Sequence, residues 1–265
     1  MPAARRHPDF EALVDDLLLR LRWIAPTNSA VSRAHPICGI GDEPVLIAYF
    51  REAKVWWLSN ELAGLDTEAR RWLMYELYQR TPREAAMLVL ALVGAVPFPE
   101  LRVEDIDVMA TWFESDDLPA RSIRDALALR VWLPWFASQP VNVVDEKLRE
   151  WLHSHPCLVR AALVLSVGLS NDSAGRHHAS LRRVFDLLPA TLGRGEREVG
   201  SAIGWFLSSI WRSEPDLAEH WLMTHAPRLS RRVFRIAAGR MPSPVRTRLL
   251  TLWKSSRLAN SKQQR

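Results

Sequence analysis

Arginine is the residue type in this chain whose number and position indicate a chemical role, the binding of anions. Residues 151–265 carry 18 Lys and Arg against 7 Asp and Glu, whereas residues 1–150 carry 17 against 23. Nearly all cations of the second half are Arg, and the planar guanidinium makes paired hydrogen bonds to phosphate. The sequence therefore predicts an anion-binding surface in the C-terminal half, although a basic surface can also serve solubility alone.

The histidines and cysteines do not have the spacing of metal ligands. Cys38 and Cys157 belong to no CxxC pair, and the helical histidines point to different faces with no matching Cys or carboxylate set. The pair Gly193-x-Gly195 is too short for a nucleotide-binding loop and follows no strand. We therefore expect neither a metal nor a cofactor.

The spacing of apolar residues predicts an all-α fold. Apolar positions recur three and four residues apart, and the 265 residues include only 11 Gly, which disfavours a hairpin-rich β architecture. The predicted helices lie at roughly 9–23, 44–60, 66–79, 82–94, 103–113, 119–138, 144–153, 156–170, 178–188, 196–213, 215–225, 227–240 and 243–255.

Helix-start signals recur along the chain, which is typical of stacked helix pairs. Asp66, Thr81-Pro82, Asp145 and the segment 213–216 each precede a predicted helix. In a solenoid each helix pair buries its apolar stripe only against its neighbours, and so needs such regular punctuation. We expect one repeat domain over residues 1–255 and a frayed basic tail at 256–265.

The termini and the cysteine content favour a cytoplasmic protein. Residues 1–10 are charged and lack the apolar core of a signal peptide, and no run of about 18 apolar residues occurs. Two cysteines without a disulfide framework are consistent with a reducing compartment. We expect no export and no membrane span.

Three C-terminal stretches occur in a characteristic order. They are Ala202-Ile203-Gly204-Trp205, then Trp211-Arg212-Ser213-Glu214-Pro215-Asp216, then Leu229-Ser230-Arg231-Arg232. Together they resemble the C-terminal signature of the AlkD-like DNA alkylation repair proteins, over roughly residues 60–240. The resemblance implies a HEAT-like helical-repeat solenoid, an α-α superhelix, whose concave basic groove binds double-stranded DNA. It also implies that the protein is a monomer.

The resemblance also assigns roles to particular residues. It aligns Asp125 with the family's catalytic carboxylate, Arg160 with its phosphate-binding arginine and Trp205 with its second active-site indole. A rival register pairs Trp112 with Asp116, but the Asp125-Ala-Leu run and the interval to Arg160 favour Asp125. Further DNA contacts are expected from Arg182, Arg183, Arg231, Arg232 and Arg235.

At one position the chain departs from the family pattern, because Arg121 falls where the family has its first aromatic residue. An indole offers a π face to a cationic base, whereas a guanidinium repels it. Arg121 also stands one helical turn before Asp125, so the two side chains can form an ion pair. We count Arg121 among the DNA-binding candidates.

The resemblance implies a DNA N-glycosylase that excises N3- or N7-alkylated purines, bulky ones included, without flipping the base. Arg121 leaves open a second function, in which the groove binds duplex or branched DNA without catalysis. A third interpretation is a HEAT scaffold for protein interactions. It would be favoured if the arginines proved scattered or buried in ion pairs.

Overall fold

A computed structural model describes residues 12, 15, 66–80, 101–114, 121–171 and 175–263. The chain divides into two compact units, Met1–Trp132 and Leu133–Arg265. The described residues form helices and turns with no strand, so the prediction of an all-α fold is confirmed. The predicted single domain over 1–255 stays a prediction. The predicted helices at 44–60 and 82–94 lie outside the described residues.

The described helices of the first unit are α1, Thr67–Arg80; α2, Val103–Glu114; and α3, Arg121–Leu127. The Asp66 carboxylate caps α1 by accepting from the Ala69 N–H at 2.7 Å, as its helix-start signal predicts. A π-helical turn, Ala128–Trp132, follows α3. Trp132 stacks there on Phe113 of α2, with ring centroids 4.3 Å apart.

A buried polar cluster joins α1 to α2. Asp105 is 3% exposed and accepts hydrogen bonds from Arg71 Nε at 2.8 Å and from the Tyr75 hydroxyl. Burial and the bond to Asp105 raise the pKa of Tyr75, so this hydroxyl stays protonated as a donor. Arg71 is also buried and pairs with the exposed Glu68 as well, so the buried Asp105 depends on Arg71 for charge compensation.

The second unit begins with α4, Leu133–Ser138, and α5, Val141–Leu152. The helices that follow are α6, Pro156–Ser170; α7, His178–Gly193; α8, Arg197–Ile210; α9, Pro215–His225; α10, Arg231–Ala237; and α11, Ser243–Gln263. Short 3-10 turns, Ala226–Arg228 and Ala238–Arg240, flank α10. No helix in the described part of the chain is both long and apolar enough to cross a bilayer.

Helices α6, α8 and α10 form one layer and run parallel to one another. Ser170 ends α6 and Ser213 follows α8, and their hydroxyls lie 3.3 Å apart. Arg160 and Trp205 meet earlier along the same two helices. Gly200 of α8 lies close to Val233 of α10, and Gly204, one turn later, lies close to both Val233 and Ile236, so the contacts advance in the same direction along both helices. Helices α5 and α7 pair in a second layer. The alternation of layers is that of helical repeats.

Several helix boundaries differ from their predictions. Helix α5 begins at Val141 and not at 144, because the Pro140 carbonyl already accepts from the N–H groups of Val143 and Val144, and Asp145 is a buried residue inside the helix. The helix predicted over 227–240 is interrupted at Ser230, whose hydroxyl caps α10 by accepting from the Val233 N–H. Helix α11 continues to Gln263, so the backbone at 256–263 is helical where fraying was expected.

The Asp105 cluster gives a test of the first unit's packing. Asp105→Asn leaves the buried Arg71 guanidinium with only the exposed carboxylate of Glu68 as a counter-charge, and breaking such a buried pair costs about 3–5 kcal/mol. We expect the free energy of unfolding in urea to fall by that amount. Glu104→Gln removes an exposed carboxylate from the same helix and is the control, with an expected change under about 0.5 kcal/mol. Equal effects of the two variants would contradict the role given to Asp105.

Candidate functional site

Two residues that the family resemblance selects lie against each other in the second unit. The guanidinium carbon of Arg160, on α6, lies 5.2 Å from the centroid of the Trp205 ring, on α8. A cation within about 6 Å of an indole face is attracted by the negative charge of the π system. The pair forms the centre of what we call the α6–α8 surface, defined by Arg160 and Trp205.

Trp205 lies in the buried stretch of α8. Residues 199–204 and 206–208 are all buried, and Trp205 is half-buried among them. Its neighbours one turn away along the helix are Ser201 and Ser209, small side chains that leave the indole room. Gly204 brings α8 close to α10 on another side of the helix. The indole is therefore presented by a rigid, packed element.

Arg160 is held in a similar way by α6. Pro156 occupies the first turn of this helix, and the His155 ring nitrogen Nδ1 caps it by accepting from the Cys157 N–H at 3.4 Å. The residues that follow Arg160, 161–166, are all buried. The half-buried Arg160 thus lays its aliphatic stem along an apolar helix while its charged end reaches the indole.

Asp125 lies in the first unit, on α3. Helix α3 begins at Arg121, so Arg121 and Asp125 are four residues apart on one helix and share a face. Asp125 is half-buried. The side chain of Arg121 and the rival carboxylate Asp116 lie outside the described residues. Trp112 is 1% exposed, which makes it a core residue and weakens the register that pairs it with Asp116.

The remaining predicted DNA contacts fall into two groups. Four arginines are exposed and form no ion pair with a carboxylate of the described residues: Arg182, Arg231, Arg232 and Arg235. Arg183 instead pairs with Asp145, a carboxylate that is only 3% exposed on its side chain. Burial makes Asp145 depend on this cation for charge compensation, and the DNA contact of Arg183 stays a prediction. The sequence prediction missed this because the two residues are far apart in the chain.

Arg194 holds the turn that precedes α8. Arg194 donates from Nη1 to the Ser154 carbonyl at 2.5 Å and from Nη2 to Glu196 at 2.8 Å. The turn needs glycine at 195, where φ is 76°. Arg194 therefore ties the turn before α8 to the turn before α6, with Nε, Nη1 and Nη2 each making a hydrogen bond.

Sequence reasoning also missed several exposed arginines of the second unit. Arg197, Arg212, Arg240 and Arg246 are exposed and form no ion pair within the described part of the chain. Their excess over nearby acids is the only sequence signal that points to them. Among the residues that the structure describes, no group of three or more His, Cys, Asp or Glu is placed to hold a metal ion.

Comparison with known proteins agrees with the sequence signature. The family model described as DNA alkylation repair enzyme matches residues 53–241. The chain belongs to this family. Its members' function makes DNA repair the broad role and DNA the substrate or partner, and the matched region includes Asp125, Arg160 and Trp205. Searches of curated proteins and of solved structures give no significant match.

The contact between Arg160 and Trp205 is testable without DNA. In a double-mutant cycle of Arg160→Met and Trp205→Leu, measured by urea unfolding, we expect a coupling of about 0.5–1 kcal/mol from the lost cation–π attraction. The same cycle with Arg182→Met, an exposed arginine of α7, is the control and should give no coupling. A coupling of zero for Arg160 would contradict the contact.

Proposed function

We propose that this protein is a DNA N-glycosylase that releases N3- or N7-alkylated purines from double-stranded DNA. The observation that carries the proposal is the contact of Arg160 with Trp205, because it joins a phosphate-binding residue type to an indole face. Family membership supports DNA as the substrate. The net positive charge of residues 151–265 supports attraction of the polyanion.

The proposed reaction asks little of the protein because alkylation activates the base. An N3- or N7-alkylpurine is a cation, so when the bond from C1′ to the base nitrogen breaks, its electron pair neutralises the leaving base. Positive charge then develops on the sugar. The Asp125 carboxylate stabilises this charge and orients a water molecule, which adds its oxygen to C1′ and gives its proton to the carboxylate, from which it passes to solvent. The products are the free base and an abasic site.

In the proposed complex the α6–α8 surface binds the DNA backbone. The Trp205 face packs on a deoxyribose of the bound DNA and excludes water from that face of the sugar. The Arg160 guanidinium hydrogen-bonds a phosphate, a stronger partner than the indole. The exposed arginines Arg182, Arg231, Arg232 and Arg235 add contacts that position the duplex without reading its sequence. We expect the damaged base to stay within the duplex, so bulky lesions are accepted.

Base release tests the proposed chemistry. With a duplex that contains 7-methylguanine, we expect the wild-type protein to release the base well above the spontaneous rate. Asp125→Asn should lower the single-turnover rate by about 100-fold, because the carboxylate acts on charge that develops in the transition state. Asp186→Asn, at an exposed position of α7, is the matched control and should keep the wild-type rate. A wild-type rate for Asp125→Asn would contradict its catalytic role.

Salt dependence tests the proposed phosphate contact. Arg160→Met keeps most of the aliphatic stem and removes the charge, so it should weaken duplex binding and reduce the slope of log affinity against log salt by about 1. Arg248→Met removes an arginine that pairs with Glu219 and serves as the control, with little expected change in slope. An unchanged slope for Arg160→Met would exclude Arg160 as a phosphate ligand.

A second candidate function is the binding of duplex or branched DNA without base release. It is favoured by Arg121, which begins α3 one helical turn before Asp125 and replaces the expected aromatic residue with a cation. This function predicts salt-dependent DNA binding together with no base release above the spontaneous rate. Tighter binding to branched than to linear DNA in gel-shift titrations would support it further.

A further inference from the structure

Helix α8 approaches α10 at backbone distance along a face that carries two glycines. A Cβ placed on Gly204 would lie 3.0 Å from the Val233 carbonyl oxygen and 3.1 Å from Ile236 Cβ. A Cβ on Gly200, one turn earlier, would lie 2.9 Å from Val233 Cγ2. From these contacts we infer that Gly204 is a positioning residue, which sets the place of Trp205 against Arg160 by letting α8 lie close to α10.

The choice of glycine at these positions is not explained by helix formation. Glycine is a poor helix former, and α8 contains Gly200 and Gly204 within its buried length. Neither residue has a positive φ, so a left-handed backbone does not require them. Close approach of the α10 backbone is therefore the reason that the structure gives for Gly204, whereas Gly200 meets only the Val233 side chain.

The two glycines differ in what a methyl group would meet. At Gly200 the obstacle is a side-chain methyl of Val233, which can turn or be removed by substitution. At Gly204 the obstacles are a backbone oxygen and the Cβ of Ile236, neither of which can move without its helix. Alanine at 204 must therefore move α8 away from α10.

The displacement of α8 away from α10 affects its contact with α6. Helix α8 packs against α10 and against α6, so displacement from α10 changes its contact with α6. Trp205 directly follows Gly204 and contacts Arg160 of α6. An indole moved by a fraction of an ångström changes its fit to both the guanidinium and a bound sugar. The consequence for catalysis rests on the proposed function, whereas the change in the Arg160–Trp205 contact does not.

The experiment uses protein labelled with 5-fluorotryptophan, in which the ¹⁹F resonance of Trp205 is assigned from its loss in Trp205→Phe. The single substitution Arg160→Met should shift this resonance from its wild-type position. Such a shift shows that the resonance reports the contact between Arg160 and Trp205. Gly204→Ala should shift it to a similar extent, and Gly200→Ala, the matched control, should leave it in place. Val233→Ala should relieve the effects of Gly200→Ala on stability and should not restore the resonance in Gly204→Ala.

Activity on a 7-methylguanine duplex gives the second measurement. Gly204→Ala should lower the single-turnover release rate by about 10- to 100-fold while duplex affinity changes less than about threefold, because misplacement acts on the reacting geometry more than on phosphate contacts. If Gly204→Ala does not fold, Gly204→Ala/Ile236→Ala, which removes the Ile236 methyl 3.2 Å from the added Cβ, replaces it in both measurements.

Two outcomes would overturn the inference: a Trp205 resonance that Gly204→Ala leaves in place, or equal shifts in Gly204→Ala and Gly200→Ala. A wild-type protein that releases no base, but whose Trp205 resonance follows the expected pattern, would contradict the proposed function and support the positioning role of Gly204.

Discussion

Helix α8 packs against both α6 and α10, and Trp205 is the half-buried residue of its otherwise buried stretch 199–208. The close contact at Gly204 fixes one side of this helix, while the contact of Trp205 with Arg160 lies on another. Buried helices of this kind are packed as densely as organic crystals and do not deform continuously. The position of Trp205 is thus determined by the core of the second unit rather than by a loop. A surface built in this way loses little conformational entropy when it binds a rigid partner.

The charges of the second unit serve two different purposes. Arg183 and Arg194 satisfy groups of the protein itself, a buried carboxylate in one case and a turn carbonyl in the other. Arg231, Arg232 and Arg235 are exposed on α10 and form no ion pair with a carboxylate of the described residues. Counting arginines in the sequence merges these two groups. The structure separates them, and only the second group adds to the field that attracts a polyanion.

Local sequence signals predicted the helices whose ends carry local punctuation. The bounds 156–170 and 215–225 match because Pro156 and Pro215 each occupy a first turn, where a missing N–H costs nothing. Helix α7 instead continues through Pro189 to Gly193, although proline predicts an end at 188, because packing against α5 and α6 outweighs the lost hydrogen bond. The π-helical turn at Ala128–Trp132 has no local signal at all.

For the candidate site, the sequence signature selected Arg160 and Trp205, and their contact follows from parallel packing that no local pattern encodes. The partners of Arg183 and Arg194 depend on the same packing, which is why residue types alone did not reveal them. Gly204 belongs to the sequence signature, but its function in setting the distance between α8 and α10 depends on tertiary packing that the signature does not describe.

The most direct test of the account is a titration of 5-fluorotryptophan-labelled protein with double-stranded DNA, followed by ¹⁹F NMR. The account predicts that the Trp205 resonance shifts in proportion to the bound fraction and returns at high salt. The resonance of Trp151, which is 1% exposed in α5, serves as an internal reference and should stay in place. Binding of the duplex with no shift at Trp205 would contradict the claim that the α6–α8 surface is the DNA-binding surface.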